Sequence, residues 1–218
     1  SSESNLRWID GGNLIAFIAK DEETEKAQVF TMKPDGSGMK RVSNLENGVM
    51  CFEISPDESK IVFGSLISSE DKDPALFEGL PKTSGRVIND LMYKHWDEWV
   101  TEIPHPFVAD FKTGSGYEVA NETDIMKGEP FECPMKPFGG AETFAWSPDS
   151  KKLVYTSRKL TGKEYAFSTD SNLYLYDLAS GKTECLTEGI EGYDTNPVFS
   201  PDGSQLAWLS METAKFES

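Results

Sequence analysis

The chain has 218 residues, enough for one large domain or two small ones with a sizeable core. Its 21 Lys and Arg against 37 Asp and Glu give a formal net charge of −16, which argues against nucleic acid or an anionic membrane as partner, because both require clustered basic residues. Hydrophobic residues make up 38%, and no apolar run approaches the length of a membrane span.

In chain order, the first element is Trp8-Ile-Asp-Gly-Gly-Asn-Leu-Ile-Ala-Phe-Ile-Ala19, which returns three times in a fuller form. The copies are Ile54-Ser-Pro-Asp-Glu-Ser-Lys-Ile-Val-Phe-Gly-Ser65, Trp146-Ser-Pro-Asp-Ser-Lys-Lys-Leu-Val-Tyr-Thr-Ser157 and Phe199-Ser-Pro-Asp-Gly-Ser-Gln-Leu-Ala-Trp-Leu-Ser210. Each predicts a hairpin: an apolar residue ends one strand, Pro pre-sets φ in the turn, and a β-branched or aromatic run returns. Between the boxes lies a second hairpin signature, at Gln28–Val42, Pro106–Val119 and Asn172–Leu186. Two hairpins in about 46 residues are the content of one β-propeller blade.

The spacings set the count. From Trp8 to Ile54 is 46 residues and from Trp146 to Phe199 is 53, but from Ile54 to Trp146 is 92. Only one second hairpin lies in the long interval, so it reads as a single blade with insertions. The expected organisation is an all-β, partial propeller of four-stranded antiparallel blades at about 7–47, 49–140 with an insertion at 66–104, 142–192, and an incomplete 196–218. Propellers close with typically four to eight blades, so a longer parent protein or a covering partner is expected.

Within the insertion the repeat stops. Residues 66–81 read as an exposed loop, and 84–100 switch to a helical period, with Ile88, Leu91, Met92, His95 and Trp99 on one face. A helix inserted in the second blade, projecting from a rim, is therefore expected. Rims and insertions are where repeat scaffolds carry function, since blade interiors are occupied with packing.

Catalytic chemistry is not evident. There is no Gly-x-Ser-x-Gly elbow, and two histidines in one insertion leave little room for a Ser/His/Asp constellation, so no catalytic residue is assigned. Cys51, Cys133 and Cys185 lack metal-ligand spacing, and with His95 and His105 alone beside them no metal or cofactor is expected. Cys51 and Cys185 fall in strand-like runs and read as buried thiols. The box carboxylates Asp57, Asp149 and Asp202 recur wherever the turn does and read as turn residues. The constellation left over is His95-Trp96-Asp97-Glu98-Trp99. Its adjacent carboxylates between two indoles could hold an ammonium group by charge-assisted hydrogen bonds and cation–π attraction. The alternative is an ordinary surface helix with a Lys94–Glu98 pair at i, i+4.

The boxes resemble the repeat shared by TolB-like propellers and the prolyl oligopeptidase family of serine peptidases. The segments Asp90–Val100 and His105–Asp110 are similar to those of the dipeptidyl peptidase 5 and acylaminoacyl-peptidase branch. This resemblance implies that the chain partners further blades and an α/β-hydrolase domain that carries the triad. It also implies a peptide substrate, screened by the propeller and contacted at its amino end, and export to the periplasm or secretion. The chain alone would be catalytically silent. The alternative is a TolB-like periplasmic propeller that serves as a platform for protein interactions.

Overall fold

The computed structural model describes residues 3–68, 91, 94, 95, 97–114, 116–136 and 138–211, with the main chain alone at His95 and Glu98. The first sheet is β1 (Ser4–Ile9), β2 (Leu14–Lys20), β3 (Ala27–Met32) and β4 (Lys40–Arg41). The second begins with β5 (Cys51–Ile54) and β6 (Lys60–Ser68). After the two-residue β7 (Lys94–His95) and β8 (Glu98–Trp99), it continues with β9 (Glu102–Thr113) and β10 (Gly116–Asp124). The third is β11 (Phe144–Trp146), β12 (Lys152–Ser157), β13 (Asn172–Asp177) and β14 (Lys182–Cys185). A fourth sheet pairs β15 (Asp194–Phe199) with β16 (Leu206–Ser210). Each of the first three sheets has four strands, and every strand pairs antiparallel with its neighbour. This is the all-β architecture of propeller blades, and the sheets do not close on themselves.

Turn chemistry explains the repetition. In the three full boxes the Ser hydroxyl donates to the Asp two residues on: Ser55 to Asp57 at 2.7 Å, and Ser147 to Asp149 and Ser200 to Asp202 at 2.6 Å. The same carboxylate accepts the main-chain N–H of Ser59, Lys151 or Ser204. The Ser oxygen in turn accepts the N–H five residues on, that of Lys60, Lys152 or Gln205. Three short bonds thus close one tight turn, as a side chain competing for local main-chain groups should. All three carboxyls lie below the usual range. At Asp149 and Asp202 the Ser hydroxyl leads the effect, whereas at Asp57 burial opposes it and the hydrogen bonds prevail.

Packing follows from period-two alternation. Ile61 and Phe63 of β6 face the first sheet, joining Ala16, Ile18 and Val29, while Val62 faces the third, beside Leu153 and Tyr155. A sheet buried on both faces cannot alternate apolar with polar, which is why Ile61-Val62-Phe63 is continuous. Outside the first sheet, Phe17, Ala19 and Phe30 form a smaller cluster of their own.

The insertion departs from its expected form. Where a helix is expected through Val100, Lys94 pairs with Trp99 and His95 with Glu98 across an antiparallel ladder, with Asp97 in the turn. Three physical factors favour the extended form. Aromatic residues suit strands, Asp97 suits a turn, and Val100–Thr101 leads directly into the long β9. Ile88 and Met92 of the expected helical face lie outside the described residues, and Leu91 is exposed. Among the described residues the α-helix is short, α1 (Glu164–Phe167), in the β12–β13 connection.

Candidate functional site

Strand direction sorts the connections onto two rims. In antiparallel blades the box turns and the third-to-fourth-strand turns share one rim. The second-to-third-strand loops and the blade-to-blade connectors share the other. The insertion between β6 and β9, the connector at 125–143 and the α1 loop at 158–171 therefore lie on the same rim.

On this rim the insertion hairpin presents its turn to solvent. Asp97 is exposed, and the Trp99 ring, 41% exposed, carries the Lys94 ammonium 4.7 Å from its centroid. Lys94 thus faces its cross-strand neighbour; the Glu98 side chain, its expected i, i+4 partner, lies outside the described residues. Trp96 lies outside the described residues, as do the side chains of His95 and Glu98. Of the five nominated residues, the structure therefore locates the side chains of Asp97 and Trp99.

A second group of rim residues carries no signal in the sequence. His105, at the start of β9, is 0% exposed. Its Nδ1 lies 2.9 Å from Asp124 Oδ2 at the end of β10, and its Nε2 lies 3.1 Å from the Glu129 carbonyl oxygen. Both ring nitrogens are committed to oxygen acceptors, so the ring pins the connector to the blade and has no site left for a nucleophile. The pinned connector carries Glu129 and Glu132 toward the third sheet. Glu129 pairs with the Lys159 ammonium, which sits 4.1 Å from the Tyr174 ring centroid. Glu132 accepts the Tyr165 hydroxyl at 2.7 Å, and the Arg158 guanidinium stacks 3.9 Å from the Tyr165 ring centroid. Burial first, and the Glu132 charge second, push the Tyr165 hydroxyl up. Asp170 is also pushed up, by burial and then, against a bond from the Gly192 N–H, by the charges of Asp194 and Glu191.

This arrangement fixes the geometry of the rim. The carboxylates of Glu129 and Glu132 are held in place by a cation and a phenol from the neighbouring blade, and charge-assisted bonds of this kind fix geometry. Partners 30 and 33 positions apart in the chain, Glu129 with Lys159 and Glu132 with Tyr165, leave no local motif. Aligning the blades, and asking which connector abuts which loop, is the one route from sequence to this cluster.

No family model matches the chain. Over all 218 residues it is 45% identical to dipeptidyl-peptidase 5 of Porphyromonas gingivalis, covering 100% of this chain and 31% of that protein. The chain is a dipeptidyl-peptidase 5 homologue. This dipeptidyl-peptidase 5 homologue spans about a third of the length of the curated relatives it matches. Among solved structures, an acylaminoacyl peptidase captured with Z-Gly-Gly-Phe-chloromethyl ketone superimposes on 98% of it, with a TM-score of 0.60, 19% identity and 29% of that chain covered. A putative TolB from Agrobacterium tumefaciens superimposes on 94%, with a TM-score of 0.51, 15% identity and 53% of that chain covered. At these identities the two structures speak for the propeller fold of the homologue alone.

Proposed function

We propose that the chain is part of the propeller of a longer serine peptidase that removes dipeptides from free amino ends. Its insertion rim would face the catalytic domain, screening peptides by size and contacting their α-ammonium group. The observation that carries this reading is the 45% identity to a dipeptidyl-peptidase 5 along the entire chain. The rim supports it chemically. Asp97 stands exposed in the hairpin turn, two residues before an indole that already accommodates one ammonium group, that of Lys94. A carboxylate beside an aromatic face suits a primary amine through charge-assisted hydrogen bonds and cation–π attraction.

Steady-state kinetics of the full-length protein on dipeptidyl chromogenic amides test the assignment. Alanine at Asp97 or Glu98 should raise KM for substrates with a free amino end and leave substrates with a blocked amino end unaffected. Kinetics unchanged for both substrate types would remove these residues from the reading.

A further inference from the structure

Two junctions between four-stranded blades can be compared residue by residue. The Phe111 N–H bonds to the Ser59 carbonyl at 2.9 Å, and the Leu178 N–H bonds to the Lys151 carbonyl at 3.1 Å. Phe111 of the second blade therefore corresponds to Leu178 of the third, Lys112 to Ala179, and Glu58 to Ser150. Glu58 and Ser150 share one backbone conformation, with φ of 59° and 60°. Each reaches back to the box turn of the blade before it: Glu58 Oε1 accepts the Asp10 N–H at 2.8 Å, and Ser150 Oγ accepts the Asp57 N–H at 3.1 Å.

Between the first and second blades this place is filled. The Glu58 carboxylate accepts from the Tyr117 hydroxyl and, at 3.4 Å, from the Lys112 ammonium. The Tyr117 and Phe111 rings are buried against each other, with centroids 5.1 Å apart. Between the second and third blades the counterparts are small. Ser150, Ala179 and Leu178 stand in place of Glu58, Lys112 and Phe111, and the tight turn from Asp177 to Lys182 leaves no counterpart of Tyr117.

A cleft of about 490 Å³ remains there, with Val108 and Lys60 on one side and Ser150, Lys151 and Leu178 on the other. Close-packed interiors hold few voids larger than a water molecule, whereas small-molecule sites span about 300–1,000 Å³. Both flanking blades have all four strands, so the cleft is not an open face of the array. Its chemistry is mixed. Val108, Leu178 and Ala179 are apolar, and Asp110 is already engaged by the Lys60 ammonium and, at 2.7 Å, by the Asn121 amide. The Lys151 ammonium makes no ion pair and the Tyr176 hydroxyl no hydrogen bond among the described residues, and both residues line the cleft. Donors without acceptors beside an apolar wall call for what Glu58 and Tyr117 bring to the other junction: a carboxylate and a ring.

We infer that the cleft between the second and third blades binds a small organic carboxylate with an aromatic body. Lys151 and Tyr176 serve the carboxylate as donors, and the ring packs on Val108, Leu178 and Ala179. Peptide hydrolysis plays no part in this inference.

N-acetyl-L-phenylalanine, which has one carboxylate, one ring and no cation, is the probe, and saturation-transfer NMR with the full-length protein is the readout. A Kd on the order of 1 mM is expected for a ligand of this size. The uncharged N-acetyl-L-phenylalaninamide should bind about tenfold more weakly, since the charge-assisted bond is lost. Ser150→Glu sets a carboxylate in the cleft at a φ that Glu58 already adopts, and should weaken binding of the acid at least about tenfold. Lys151→Met, at an exposed position, should weaken it about tenfold and decides the matter if Ser150→Glu does not fold. No binding to the unsubstituted protein, or equal binding of acid and amide, would overturn the inference. Binding that neither substitution alters would put the ligand elsewhere, a peptidase site included, and would overturn it too. A protein that shows the expected pattern yet cleaves no peptide would refute the peptidase reading and leave the cleft assigned.

Discussion

His105→Phe isolates the link between the second blade and its rim. The imidazole is fully buried, with Asp124 on one nitrogen and the Glu129 carbonyl on the other. Phenylalanine fills similar space and donates nothing. Asp124 would keep the Met126 N–H at 2.9 Å but lose its ring partner, and the Glu129 carbonyl would lose its donor. Losing a hydrogen bond to a charged group costs about 1.5–3 kcal/mol, and the Asp124 carboxylate, 14% exposed, keeps some access to water. At the low end of that range, for a chain of this size, Tm should fall by roughly 3–6 °C. Thermal unfolding followed by tryptophan fluorescence reads the shift, and a double-mutant cycle with Asp124→Asn should show strong non-additivity. Amide exchange should also quicken at Glu129, whose N–H bonds to the Met126 carbonyl in the same connector. A Tm indistinguishable from that of the unsubstituted chain would refute the claim that this ring holds the rim.

Three further outcomes follow from the fold. The Asp202 carboxyl, held down to about 2 by the Ser200 hydroxyl and the Ser204 N–H, is more acidic folded than unfolded. Its contribution to stability is therefore present above the unfolded value of 3.8 and is lost as pH falls toward about 2; Asp202→Asn should flatten that part of a urea-midpoint profile. Gly64→Ala should cost about 1–3 kcal/mol by overpacking, since the added methyl would meet Pro134 Cδ at 2.8 Å; an unaltered urea midpoint would mean that the ring yields freely. Burial pushes the Cys51 thiol up to about 12 and Cys133 well above its ordinary value, so neither should react with a maleimide at neutral pH until urea is added. Native labelling of Cys133 would show that the connector is not packed as described.

The box hairpins were legible because each is a local device: Ser, Pro, Asp and the return strand fall within a dozen residues, and the hydrogen bonds close inside that window. Blade packing was legible for a related reason, since β6 is continuously apolar wherever both its faces are covered. The hairpin at 94–99 was not. Leu91, His95 and Trp99 satisfy a helical period, yet over so short a stretch His95 and Trp99 suit a hairpin once Asp97 provides a turn and β9 continues from it. The Glu129, Glu132, Lys159 and Tyr165 cluster was beyond reach for a different reason. Its members belong to separate blades, and no residue carries a mark of its neighbour.

The most direct test of the account is hydrolysis by the full-length protein of one dipeptidyl amide in two forms, with the α-amine free and with it acetylated. The account predicts cleavage of the free form and a large loss of kcat/KM on acetylation, because the rim carboxylates then have no cation to hold. Equal cleavage of both forms would contradict amino-end recognition, and cleavage of neither would contradict the peptidase reading itself.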